Sequence, residues 1–435
     1  MKRRTLLTAL AAGAADWPAV VWPTQTPPTN SRPSRARVVV VGGGWGGLSF
    51  ARQLRLLAPD IELLLLDRDP VFRSLPLSSP WLVGHSPERL APIDLASHAT
   101  ALGYRFVQAE VQSIDRDQRQ VLTSVGPFAY DWLLLANGIS YDYAPWLGDD
   151  PRAAAQARAQ FPAGFVASEL DLLKHQLTSF KGGDLVMTIP PPPYRCPPAP
   201  YERAMLIGWM LKTRRIPGKL TVLDAGAGLP RFTRLFAERY PQQIVHRPHT
   251  SGLSIDPFAR RLSTDEGDMR FDHAMVLPAM RASPLLAQAG LLGVNAQGQA
   301  THWAAVDPQR LCSPQDERVY LAGDLLDVVS PLFGYYPKTA HVASRLGAAA
   351  ALQVAAHSHG LTPPPVALPE SICHVWLDAD PPEQLRIEAS YRLRGDGVMA
   401  QAVRQIDNPQ PRGEDLQWGR TLYAESLGVP LDPRS

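Results

Sequence analysis

The chain has 435 residues, 45% of them hydrophobic, which is enough for two or three domains with sizeable cores. A formal net charge of +2 gives no reason to expect a nucleic acid or an acidic polymer as partner. Its 43 prolines are about twice the usual share of roughly 5%; they gather in linkers and bends and read as rigid connections, not disorder.

The N-terminus, MKRRTLLTALAAGAA, has the pattern of an export signal: Lys2, Arg3 and Arg4, a short apolar run, then small residues near Ala12 to Ala15. Adjacent arginines followed by Thr5, Leu6 and Leu7 point to twin-arginine export, with an ordinary secretory signal or a short anchor as the other reading. The run is too short for a bilayer, which needs roughly 20 residues, and no later segment qualifies as a span. Residues 1–35 thus form the signal and a lead-in, and the expectation is a soluble periplasmic protein in a compartment where disulfides persist.

The segment ARVVVVGGGWGGLSFARQLRLLAPDIELLLLDRD carries the clearest pattern. Val38 to Val41 read as a buried strand, Leu48 to Leu57 as a helix, and Ile61 to Leu66 as a second strand ending in Asp67. Between them Gly42, Gly44 and Gly47 match G-x-G-x-x-G. The first glycine permits a tight turn, the second lets a pyrophosphate approach the backbone, and the third lets helix pack on strand; the acid about twenty residues on takes a ribose hydroxyl. This predicts a dinucleotide site. Three later segments resemble FAD-dependent disulfide reductases and so make the dinucleotide FAD. YDWLLLANGIS is a buried strand closing on Ala136, Asn137 and Gly138, and RVYLAGDLLDV ends a strand at Gly323 and Asp324, like the Gly-Asp pair that binds a flavin ribityl chain. A helix then starts after Pro337, its N-terminus free for the electron-rich end of the ring. Val111 and Lys338 complete the expected cofactor set.

The fold class this implies is α/β: two doubly wound, Rossmann-like domains and a small α+β C-terminal domain. FAD-binding residues cover 36–150 and 301–356, an inserted domain 151–300, and the C-terminal domain 366–435 after the proline-rich SHGLTPPPVALPE. In enzymes of this type the insert carries its own glycine fingerprint for NAD(P)H. Here the strand Leu185 to Ile189 runs instead into PPPPYRCPPAPYERA. Prolines lack the N–H donors that a pyrophosphate needs. The later KLTVLDAGAGLP ends in Asp224 and resembles the second strand of the unit, so the domain keeps its shape and loses its nicotinamide site.

Cys196 occupies that bend, just ahead of a helix expected from Ala199 or Tyr201. The helix start and Arg195 would favour its thiolate, and the stiff loop would fix the sulfur; alternatively Cys196 is half of a structural disulfide. HVWLDADPPEQLRIEASYRLRGDGVMA reads as two or three antiparallel strands and EDLQWGRTLYAESLG as a closing helix. The histidines are scattered without metal spacing, so metal is not expected.

The whole chain resembles the flavoprotein subunits of flavocytochrome c sulfide dehydrogenases, with sulfide:quinone reductases as wider relatives. RRTLL, VVVVGGGWGGLSFARQL, HAMVLPAMRAS, AAVDP, YLAGD and WGRTLYAESLG carry the likeness, and RCPPAPYERA is its most specific part. The resemblance implies a redox-active disulfide over FAD, attacked by sulfide, with electrons passing to a partner c-type cytochrome. Cys196 would be one half and Cys373, in SICHVWL, the other; Cys312 has no counterpart. Glu169 would be a proton relay or a solvated helix-start acid. His374 would stabilise a thiolate or be an ordinary histidine, and it stands where the family has tyrosine. The family often joins its flavin to an early cysteine; Leu75 stands there, so the FAD is expected without a covalent bond. A quinone reductase, or a flavin-loaded accessory subunit without turnover, are the alternatives.

Overall fold

The computed structural model describes residues 36–429, so the expected export signal lies outside the described residues. The order of the elements follows from where β-branched runs and glycine turns fall. Strand β1 (Arg37–Val41) is buried on both faces, as a central parallel strand must be. It turns directly into helix α1 (Trp45–Leu57), and β2 (Glu62–Asp67) returns beside it in parallel, Val38 opposite Leu63. Strands β3 (Arg105–Gln108) and β4 (Trp132–Leu135) join the same sheet, separated by an antiparallel meander over residues 111–129.

The insert begins its own parallel sheet at β5 (Gly183–Ile189). The proline bend and helix α2 (Ala199–Thr213) lead to β6 (Gly218–Asp224), then β7 (Ile244–Arg247) and β8 (His273–Met275), in the order β7-β6-β5-β8. An antiparallel ribbon of residues 139–142 and 279–282 ties this lobe back to the first. Strands β9 (Cys312–Ser313) and β10 (Asp316–Leu321) then complete the first sheet, ordered β9-β10-β4-β1-β2-β3. Helix α3 (Ala340–Ser358) packs on α1 where Gly347 meets the Gly46 backbone.

Three antiparallel strands follow, β11 (Ser371–Ala379), β12 (Pro382–Leu393) and β13 (Met399–Asn408), closed by α4 (Glu414–Leu427). This sheet lies against the insert. Asp378, fully buried, takes Arg239 Nη1 at 2.5 Å and the Tyr240 hydroxyl, and Trp376 N–H donates to Glu202 Oε1 at 2.8 Å. Those contacts carry β11 to the same place as the proline bend.

Candidate active site

A cavity of about 460 Å³ opens where the C-terminal ends of β1, β4 and β10, the proline bend and β11 converge. Its floor is the β1–α1 turn. Gly42 sits at φ +108, and a Cβ there would lie 2.5 Å from the Ala136 carbonyl oxygen. Gly47 does not reach the cavity; its α-carbon abuts the Gly42 carbonyl, which is the packing role expected of the third glycine. Gly44 has open space where its side chain would be, so a ligand can meet the backbone there. Asp67 accepts the Gly43 N–H at 2.6 Å, and burial raises its pKa.

Val111, Ala136, Gly138, Gly323, Asp324 and Lys338 all line the same cavity. Lys338 turns its ammonium away from it, donating to the Asp324 carbonyl at 2.7 Å and the Leu326 carbonyl at 3.1 Å, 3.6 Å from the Trp303 ring centre. Burial brings its pKa down to about 7, so this lysine holds the Gly-Asp turn more than it offers charge to a ligand. Asp324 gives one oxygen to Arg195 Nε at 2.6 Å, while its buried Oδ1 has no partner among the described residues. Thr339 caps the α3 N-terminus, whose first residues, Ala340 and His341, border the cavity.

Cys196 and Cys373 meet at the wall of this cavity, two half-buried thiols in hydrogen-bond contact. Cys196 lies at φ +46, in the left-handed region that L side chains rarely adopt, fixed by its N–H on the Lys338 carbonyl at 3.0 Å. The Ala199 N–H at the start of α2 donates to the Cys196 carbonyl at 2.8 Å and, beside the sulfur, acts to lower its pKa. The shared bond with Cys373 and burial nevertheless push the Cys196 pKa up, whereas Cys373, bonded by Cys196 and by the Ser371 hydroxyl, is held below the ordinary thiol range. The Ser371 hydroxyl thus favours thiolate character at Cys373. That corrects the expectation that Arg195 would stabilise a Cys196 thiolate, since the guanidinium is spent on Asp324 and on the Phe165 carbonyl at 2.9 Å.

Glu169 is buried and does not line the cavity. Its Oε2 accepts the Gly164 N–H at 2.7 Å and the Tyr141 hydroxyl at 3.0 Å, and burial raises its pKa. It fixes the Gly164–Phe165 turn that borders the cavity, which differs from both the relay and the solvated acid expected of it. His374 lines the cavity but faces Trp418 and Asp415, and its charge does not act on Cys373. Cys312 is buried in β9, away from the cavity.

The residue that sequence reasoning missed is Glu202. It stands in the first turn of α2, lines the cavity, accepts from Trp376 N–H and Ser79, and raises the pKa of both cysteines. Burial pushes its own pKa up to about 7. Its signal was its place in RCPPAPYERA, six residues beyond the cysteine and in the first turn of the helix that follows.

The inserted sheet has no phosphate loop after β5. Asp224, where a ribose-binding acid would stand, is consumed by the Tyr201 hydroxyl at 2.7 Å, Gly226 N–H at 2.8 Å and His246 Nε2 at 3.0 Å.

Residues 170–278 match the family model described as the central part of the sulfide dehydrogenase [flavocytochrome c] flavoprotein chain, and residues 36–159 match pyridine nucleotide-disulphide oxidoreductase. The chain belongs to the flavoprotein family of sulfide dehydrogenases and sulfide:quinone reductases. The sulfide-quinone reductase of Aquifex aeolicus is 25% identical over 58% of this chain and 60% of its own, so the match spans under two thirds of that relative. The flavocytochrome c flavoprotein chain of Chlorobaculum thiosulfatiphilum is 49% identical over 10% of this chain and 90% of that sequence. The solved Aquifex aeolicus sulfide:quinone oxidoreductase superposes with a TM-score of 0.71 at 18% identity, covering 92% of this chain and 93% of the other. The cofactor of this family is FAD, and the residues present fit it: open backbone at Gly44, an acid at the end of β2, an unpartnered buried Asp324 oxygen and a capped helix start.

Proposed function

We propose that this sulfide dehydrogenase relative is an exported, FAD-dependent enzyme that oxidises sulfide through a Cys196–Cys373 disulfide and delivers electrons to a c-type cytochrome. The observation that carries the reading is the meeting of the two cysteines at the wall of the cofactor cavity. HS⁻ attacks the Cys196 sulfur. A sulfur–sulfur bond forms to Cys196, the bond to Cys373 breaks, and Cys373 leaves with the electron pair as the thiolate that Ser371 stabilises. The proton stays on the outer sulfur of the Cys196 persulfide. Closing the disulfide again releases zero-valent sulfur, that proton and two electrons. FAD, when bound, supplies the two-electron acceptor from which single electrons leave. Glu202, poised near neutrality beside both sulfurs, takes the proton.

Anaerobic titration with sulfide, followed by flavin bleaching, tests the reading. Cys196→Ser and Cys373→Ser should keep flavin and fold but lose bleaching, and Cys312→Ser should bleach at near the parent rate. Lowered thermal stability with bleaching retained would make the pair structural, and loss of bleaching in Cys312→Ser alone would overturn the pairing. Quinone as acceptor is the second reading, favoured by the Aquifex aeolicus likeness. No helix among the described residues is long and apolar enough to cross a membrane. Reoxidation of the sulfide-reduced protein by a c-type cytochrome, compared with a short-chain quinone, separates the two acceptors. Failure of both with bleaching intact would favour a flavin-loaded accessory subunit.

A further inference from the structure

Arg195 immediately precedes the proposed reactive cysteine, yet its guanidinium points away from the sulfur. Its Nε donates to Asp324 Oδ2 at 2.6 Å and its Nη1 to the Phe165 carbonyl at 2.9 Å. The backbone follows the same direction. Arg195 N–H meets Met280 Sδ at 3.3 Å, Cys196 N–H donates to the Lys338 carbonyl, and Arg195 and Lys338 pair as an isolated parallel bridge. Lys338 in turn bonds the Asp324 and Leu326 carbonyls. The cysteine loop and the Gly323–Asp324 turn are thus one hydrogen-bonded unit.

Two features make that unit consequential. The ion pair is largely shielded, with side-chain exposures of 20% and 12%, so neither charge is free to relax into water. Cys196 also holds a left-handed backbone that persists only where its surroundings over-determine it. Asp324 has its second oxygen unpartnered at the cavity, where the cofactor fits.

We propose that Arg195 is a positioning residue whose bond to Asp324 couples the seat of the cofactor to the placement of the Cys196 sulfur. The sulfur half of this inference rests on the Cys196–Cys373 redox reading; the cofactor half rests on the cavity alone. Breaking the pair removes the one cation hydrogen-bonded to the Asp324 carboxylate among the described residues, leaving Lys338 on its backbone carbonyl, and releases the bend from the turn that holds it.

The test uses the full-length holoenzyme and the variants Arg195→Met, Arg195→Lys and Asp324→Asn. Two quantities are read: the FAD dissociation constant from fluorescence of released flavin, and the equilibrium of the cysteine pair with glutathione, from alkylation and mass spectrometry. Arg195→Met should weaken FAD binding roughly tenfold and shift the glutathione equilibrium at least about fivefold. Asp324→Asn, altered on the far side of the ion pair from the sulfur, should shift that equilibrium in the same direction. Arg195→Lys, keeping a cation, should recover FAD affinity to within about threefold of the parent. FAD affinity within about twofold of the parent in Arg195→Met, or an unmoved glutathione equilibrium in Asp324→Asn, would overturn the proposal. Should Arg195→Met fail to fold, the other two variants carry both readouts. A parent protein with no reversible disulfide defeats the redox reading, and the FAD arm still decides the link to Asp324.

Discussion

Glu202→Gln is the sharpest probe of the electrostatics at the cysteine pair. Glu202 is 9% exposed, and burial moves its pKa from an ordinary 4.5 to about 7. At about 1.4 kcal/mol per pH unit, that shift corresponds to about 3 kcal/mol of folding free energy. The folded protein holds this proton more tightly than the unfolded chain. The contribution is therefore fully present below about pH 4.5, is lost as the pH rises through about 7, and is constant above that. Glutamine keeps the acceptor for Trp376 N–H and removes the titration. Urea unfolding of parent and variant, at several values from about pH 5 to about pH 8, should give a stability difference that grows in favour of the variant and then levels. The same variant should alkylate faster at its reduced cysteines near neutral pH, because Glu202 raises both thiol pKa values. A difference constant to within about 0.5 kcal/mol over that range would refute the argument.

Two further outcomes follow from the cavity and the insert. Acid denaturation should release yellow FAD into the supernatant, because Leu75, at the position the resemblance assigns to a flavin-linking cysteine, lines the cavity and cannot form a thioether; flavin left in the pellet would contradict this. NADH should not bleach the flavin at a useful rate, since prolines follow β5 and Asp224 is already bonded three times; rapid anaerobic bleaching would show that the insert still binds a nicotinamide.

The parts of this protein legible in its sequence are those governed by local physics. A run of four valines, glycines at fixed spacing and an acid at the next strand end specify β1, its turn and α1 almost without tertiary context. The start of α2 was equally readable from prolines that cannot continue a strand ladder. What failed was inference from adjacency. Arg195 and His374 each neighbour a cysteine in sequence, but the side chains diverge, at Cys373 because successive residues of a strand face opposite ways and at Cys196 because the backbone turns left-handed, and both find partners on other elements. Glu169 looked like a solvated first-turn acid because the Tyr141 and Gly164 contacts that bury it come from outside its own helix. Glu202 escaped notice for the same reason, since the Trp376 N–H that donates to it lies in another domain.

In the insert, a cysteine stands in the turn where a dinucleotide fold would hold a phosphate. In a dinucleotide fold the strand-turn-helix unit aims backbone N–H groups at a phosphate. Here the turn after β5 is proline, and the remaining donor at the start of α2, Ala199 N–H, bonds the Cys196 carbonyl at 2.8 Å beside the sulfur. That single donor does not make Cys196 the thiolate, because its neighbour Cys373 and the carboxyl of Glu202 raise its pKa while Ser371 lowers that of Cys373. The asymmetry sets the chemistry. A disulfide breaks most readily when the sulfur that departs is the better-stabilised thiolate, so in the proposed reaction Cys373 would leave and Cys196 would receive the incoming sulfur. The sulfur that must be placed for attack is then the one that the rigid bend, the left-handed backbone and the Arg195–Asp324 pair all hold in position.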